Sequence, residues 1–122
     1  MIVEVDTASA VPAYEQIRAQ LATMIETGVL APGTKLPPVR QLAADLGLAV
    51  NTVARAYTEL DRAGLVTSRV RHGTVVAPHQ AIGQPEIRRR LAEAADSFAA
   101  IAGRLGVTPD ESLDAVRKAL HR

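Results

Sequence analysis

The chain has 122 residues, room for one ordinary domain or a small domain with an appendage, and a formal net charge of only +1. Bulk attraction to nucleic acid is therefore weak, and any affinity for it must come from local clustering of charge. Cysteine is absent, which excludes disulfides and thiolate metal sites and fits a reducing cytoplasm; one Phe, two Tyr and no Trp leave no stacking platforms for single-stranded nucleic acid.

Residues 2–6 alternate weakly (Ile2, Val3, Val5) and suit a short extended arm. Pro12 fits a first helical turn, after which Tyr14, Ile17, Leu21, Met24 and Ile25 recur at helical spacing until Gly28. Ala31-Pro32-Gly33-Thr34 signals a turn, and Pro37-Pro38 opens a second helix from Pro38 to about Leu46. Gly47 supplies a left-handed C-terminal cap, so the chain can reverse within a few residues. A third helix is expected from about Val50 to Ala63, ending at Gly64. At 100° per residue, Val53, Ala56, Tyr57 and Leu60 fall in one arc, whereas Asn51, Thr52 and Arg55 fall opposite, with Glu59 and Arg62 further along.

Two β-prone segments follow, Leu65-Val66-Thr67-Ser68 and Thr74-Val75-Val76-Ala77, flanking a tip of Arg69-Val70-Arg71-His72-Gly73. Pro78 blocks further pairing, and Gly83 and Pro85 mark a linker. Beyond it, Ile87, Leu91, Ala94, Phe98, Ile101 and Leu105 step by 4, 3, 4, 3 and 4, the 3.5-residue period of an a/d seam. Gly106 ends that helix, and Thr108-Pro109-Asp110-Glu111 reads as N-cap, N1 proline and N3 glutamate of a last helix. Leu113, Val116 and Leu120 give it one apolar face.

This order predicts a mainly α fold with a small β wing: a winged helix-turn-helix over residues 1–78, a linker over 79–85 and a two-helix dimerisation tail over 86–122. Such a scaffold places its second motif helix in the major groove of duplex DNA. The charge agrees. From Lys35 to Gly73 there are six basic residues against three acidic ones, and the rest of the chain holds eight basic and ten acidic.

The residues then carry a resemblance. Pro12-Ala13-Tyr14-Glu15-Gln16-Ile17, Gly28-Val29-Leu30-Ala31-Pro32-Gly33-Thr34-Lys35-Leu36-Pro37, Arg40-Gln41-Leu42-Ala43, Leu46-Gly47, Asn51-Thr52-Val53 and Arg55-Ala56-Tyr57 stand as in the N-terminal domain of the GntR family of bacterial transcription regulators. The likeness continues through Leu60, Gly64-Leu65-Val66 and Gly73, covering about residues 12–77 in register. The short tail resembles the YtrA-like subfamily, whose tails are dimerisation appendages. Members with an aminotransferase domain are far longer, so no pyridoxal phosphate or other cofactor is implied.

The resemblance implies a DNA-binding set of Lys35, Arg40, Ala49, Val50, Asn51, Thr52, Arg55, Arg71, His72, Gly73 and Thr74. In it Arg40 meets phosphate or a guanine edge, Asn51, Thr52 and Arg55 lie in the major groove, and His72 and Gly73 enter the minor groove. Four positions depart from the family's commonest pattern. Pro38 replaces a serine; Ala49 replaces a capping Ser or Thr, at a cost of about 1 kcal/mol; Val50 and Ala54 stand where base-reading arginines are frequent. A different operator sequence is therefore expected, with apolar contact to a thymine methyl in place of one arginine.

Simpler roles stand beside these. Arg40 and Arg55 could be solvated helix residues, Asn51 and Thr52 could cap their helix, and Arg71 and His72 could form a plain turn. The seam of Ile87, Leu91, Ala94, Phe98, Ile101 and Leu105, with Leu113, Val116 and Leu120, is assigned to a homodimer interface; the alternative is packing within one subunit. No Ser/His/Asp set or paired carboxylates converge, and His79 and His121 have no ligand partners at useful spacing, so neither an enzyme nor a metal site is expected. No apolar run reaches the roughly 18 residues of a membrane span and no basic-then-apolar leader is present, so a cytoplasmic protein without membrane association is expected.

The expected function is a sequence-specific regulator of transcription. It would be a homodimeric repressor on an inverted repeat, with transporter genes as its targets by the YtrA resemblance. Two other classes compete: a winged-helix protein-interaction module and a non-specific architectural DNA binder. A small-molecule effector, if one acts, must sit between subunits or between tail and DNA-binding domain, because the residues beyond the linker are too few to enclose a pocket alone.

Overall fold

The computed structural model describes residues 3–69, 71–79 and 81–121. Seven elements follow in order: α1 (Ala13–Glu26), α2 (Val39–Leu46), α3 (Val50–Arg62), β1 (Val66–Arg69), β2 (Gly73–Val76), α4 (Gln84–Leu105) and α5 (Pro109–Leu120). They form two compact units, Met1–Ile82 and Gly83–Arg122.

In the first unit α3 is the central element, packed by α1 on one side and α2 on another. Ile17, Leu21 and Ile25 of α1 meet Val53, Ala56, Tyr57 and Leu60 of α3, closed by Leu36, Leu42, Ala43, Val66 and Val76. Among the described residues no charged side chain is buried, and apolar burial is the main force holding the core. The N-terminal arm is extended but is not a strand. Gln16 and Gln20, one turn apart on α1, stand in for a partner strand. The Gln20 side chain accepts from Glu4 N–H at 2.9 Å and donates to Glu4 O at 2.6 Å, and Gln16 treats Asp6 the same way at 2.8 and 3.0 Å. Val3 is thereby delivered to the core.

The turn between α2 and α3 depends on Gly47, at φ +68°. Leu48 N–H reaches back to Ala43 O at 2.9 Å, a closure that a left-handed residue permits. α3 begins at Ala49 with no side-chain cap, as its alanine dictates. β1 and β2 form an antiparallel hairpin with Arg69 opposite Gly73. The strands lie one residue later on β1, and one earlier on β2, than propensity alone suggests. Gly73, at φ +73°, is the reason: it closes the turn inside the sheet rather than beyond it.

Residues 33–36 add a further edge to the wing. Leu36 N–H donates to Thr74 O and Val76 N–H to Thr34 O, both at 2.9 Å, and Lys35 bridges Val75. After β2 the chain does not leave at once. The His79 ring nitrogens lie 3.0 Å from Ala77 O and 2.6 Å from Ile25 O, and Ile82 N–H donates to Glu26 O at 2.8 Å. Two residues of the segment read as a linker, His79 and Ile82, are thus bonded to the end of α1, and α4 starts at Gln84, ahead of residue 86.

In the second unit, α4 ends at Gly106 and α5 starts with Thr108 as its N-cap, whose hydroxyl accepts from Glu111 N–H at 3.1 Å. Arg89 pairs with Glu86 and Glu93, and Arg90 with Glu86, along the exposed face of α4. Hydrogen bonds from Arg89, then Arg90, hold the Glu86 carboxyl down at about 2.

Candidate nucleic-acid interface

Helix α3 is two-sided. Val53, Ala56 and Leu60 are completely buried and Tyr57 nearly so, whereas Asn51 and Arg55 are exposed and Thr52 half-buried. Tyr57 anchors the buried side: its hydroxyl donates to Pro37 O at 2.7 Å, tying α3 to the residues that lead into α2. Burial pushes the Tyr57 phenol up to about 12. Through this bond the start of α2, and with it Arg40, is fixed relative to α3.

Arg40 is exposed at the second residue of α2, and among the described residues its side chain has no ion pair or hydrogen bond. The side chains of Asn51 and Thr52 also make no hydrogen bond there, so neither caps α3. Ala49 and Val50 are exposed beside them and present only apolar surface. Arg55 has one partner. Its guanidinium carbon sits 3.8 Å from the centre of the Tyr14 ring, over its face. Periodicity placed Tyr14 only among the apolar residues of α1; the contact crosses from one helix to another, and no local pattern could reveal it.

On the wing, Arg71 and His72 are exposed in the turn, with His72 N–H donating to Arg69 O at 3.1 Å; Val70 lies outside the described residues. The Thr74 hydroxyl lies 3.2 Å from that of Ser68 on the opposite strand. Lys35 runs beside the wing: a Cβ added to Gly73 would meet its Cε at 3.2 Å. The structure thus brings Lys35, Gly73 and Thr74 together on the wing, and Asn51, Thr52 and Arg55 together on α3. Among the described residues no cluster of His, Cys, Asp or Glu could hold a metal ion, and no helix is long and apolar enough to cross a membrane.

The tail residues stand apart in exposure. Leu91, Phe98, Ile101, Leu105, Val107, Leu113, Val116 and Leu120 are all 36–77% exposed, and only Ala102 is buried in α4 and no residue in α5. An open apolar groove of about 740 Å³ runs between the two helices, lined among others by Leu91, Phe98, Leu113 and Val116.

A winged helix-turn-helix with an apolar-anchored helix and a free polar face is the architecture of DNA-binding transcriptional regulators. The model of the bacterial regulatory proteins of the gntR family matches residues 13–76, and the chain belongs to that family. It is 39% identical to the HTH-type transcriptional regulator Rv1152 of Mycobacterium tuberculosis, over 89% of this chain and 86% of that one. With the HTH-type transcriptional repressor YtrA of Bacillus subtilis it shares 38% identity over 62% of this chain and 58% of that protein. Among solved structures, YtrA of Sulfolobus acidocaldarius, a GntR-family transcription factor, superposes with a TM-score of 0.60 at 32% identity, covering 79% of this chain and 99% of that one. The AraR DNA-binding domain in complex with operator ORX1 superposes with a TM-score of 0.54 at 26% identity, covering 63% of this chain and 95% of that domain.

Proposed function

We propose that this regulator is a homodimeric repressor that reads an inverted-repeat operator in duplex DNA. The observation that carries the reading is the free polar face of α3. The side chains of Asn51, Thr52 and Arg55 have no hydrogen bond to protein among the described residues, while the opposite face is sealed in the core. Side chains so placed keep their donors and acceptors for base edges. Arg40 supplies a phosphate or guanine contact, and Lys35, Arg71 and His72, with Gly73 and Thr74, supply the wing's contacts to the backbone and minor groove. Ala49 and Val50 offer apolar contact, which favours thymine methyls.

The dimer is supported by the tail. Seven large apolar side chains left exposed on two helices, with Val107 between them, are more than a soluble monomer ordinarily shows to water, and the a/d spacing of those on α4 suits a second copy. Two-fold symmetry then sets two reading helices on half-sites one helical turn apart. Repression and transporter targets rest on the likeness to YtrA, and a cytoplasmic location on the DNA partner. An effector, if one acts, lies where tails of two subunits meet.

The test is footprinting on the promoter region shared with the neighbouring genes. A salt-sensitive, two-fold symmetric protected window is the expected result. Binding that random duplex competes away equally would make the chain an architectural protein, and no shift at all would make it a protein-interaction module.

A further inference from the structure

The face that reads DNA contains one guanidinium that the protein has already restrained. Arg55 is exposed on α3 and lies over the ring of Tyr14 at 3.8 Å. Two carboxylates are close in sequence or in space, Glu59 one turn along α3 and Glu15 beside Tyr14 on α1. Each is taken by another arginine. Glu59 accepts from Arg62 at 3.4 Å, and Glu15 accepts from Arg18 Nε at 2.7 and 2.8 Å. Among the described residues the Arg55 guanidinium donates to no acceptor, so its charge is offset only by the ring. Contact with a ring engages the face of the guanidinium and leaves its five in-plane N–H donors unused. An oriented, unpaired fork is what bidentate recognition of a phosphate or of guanine O6 and N7 requires. Restraining it before binding lowers the entropy lost on contact.

We propose that Tyr14, on a helix outside the helix-turn-helix, is the positioning residue for Arg55, presenting its N–H edge to a phosphate or guanine of duplex DNA. The proposal rests on the reading that α3 binds duplex DNA, and its test separates the two. The full chain is titrated, across a salt series, onto a duplex that the wild type selects from a random-sequence pool and onto a random duplex of equal length. Salt-insensitive or absent binding of the wild type to both overturns the DNA-binding reading and the proposal with it.

With wild-type binding in place, Tyr14→Phe keeps the ring and is expected to bind like wild type. Tyr14→Leu is expected to weaken binding about two- to fivefold, the worth of an exposed cation–π contact. Arg55→Ala weakens it about tenfold, and lowers the salt slope by about one if the contact is to phosphate. On the Arg55→Ala background, Tyr14→Leu should have no further effect. Equal effects of Tyr14→Leu on both backgrounds would overturn the proposal while leaving the DNA reading intact. So would an Arg55→Ala chain that melts earlier yet binds with unchanged affinity and slope, since that marks a mere clasp between helices. Should Tyr14→Leu fail to fold, Arg55→Lys decides: it keeps the charge but loses the planar fork, and is expected to bind the selected duplex at least about threefold more weakly. Binding equal to wild type would overturn the proposal.

Discussion

Replacing Ile101 by alanine isolates the contribution of the tail to assembly. Ile101 lies one turn before the C-terminal end of the α4 seam and is 53% exposed in the single chain. The change deletes three carbons, worth about 2.4 kcal/mol when fully buried at ~0.8 kcal/mol each. Only the exposed half remains to be buried by a partner, which leaves about 1.3 kcal/mol per copy. A two-fold interface contains the site twice, so the dimer should lose about 2.5 kcal/mol, a weakening of about 70-fold in Kd. Alanine is the better helix former, so α4 itself does not suffer. Sedimentation equilibrium over a concentration series reads the dissociation constant directly, and operator titrations should become steeper in protein concentration as dimerisation becomes limiting. A wild-type chain that sediments as a monomer throughout, or an Ile101→Ala chain with an unchanged dissociation constant, would refute the assignment of the seam to the dimer.

Three further outcomes follow from the first unit. Arg40→Ala should lower operator affinity at least about tenfold without changing the melting temperature, because the exposed side chain has no partner among the described residues; an unchanged footprint would count against its contact role. Ala49→Ser should add the missing cap to α3 and stabilise the fold by about 1 kcal/mol, read as a rise of several degrees in thermal unfolding. Tyr57 should make the fold alkali-sensitive. Its folded value of about 12 lies above the ordinary 10, so its contribution is complete below pH 10 and is lost as pH rises from 10 through 12. Tyr57→Phe should cost about 1 kcal/mol at neutral pH through the lost bond to Pro37 and should remove that step from the stability profile.

The helices of this protein were legible in its sequence because their signals are local. Apolar spacing marked the buried stripe of α3 residue by residue, Gly47 and Gly106 marked two ends, and Thr108 with Glu111 marked a start; each depends on residues within a turn or two of one another. The hairpin was legible as a hairpin but not in register, since β-propensity does not say which residue closes the turn, whereas the backbone at Gly73 does.

What the tertiary structure alone decided are the contacts that join distant segments. Gln16 and Gln20 bind the backbone of the arm, residues 33–36 edge the wing, His79 bonds to the end of α1, and Arg55 lies over Tyr14. No period or composition encodes these, because each pairs groups on elements whose separation is set only once the core has formed. The amphipathic stripe determined that α3 would show a polar face outward. Only the packing of α1 against it determined that Arg55 would carry a ring beneath its guanidinium and, among the described residues, no carboxylate at its edge.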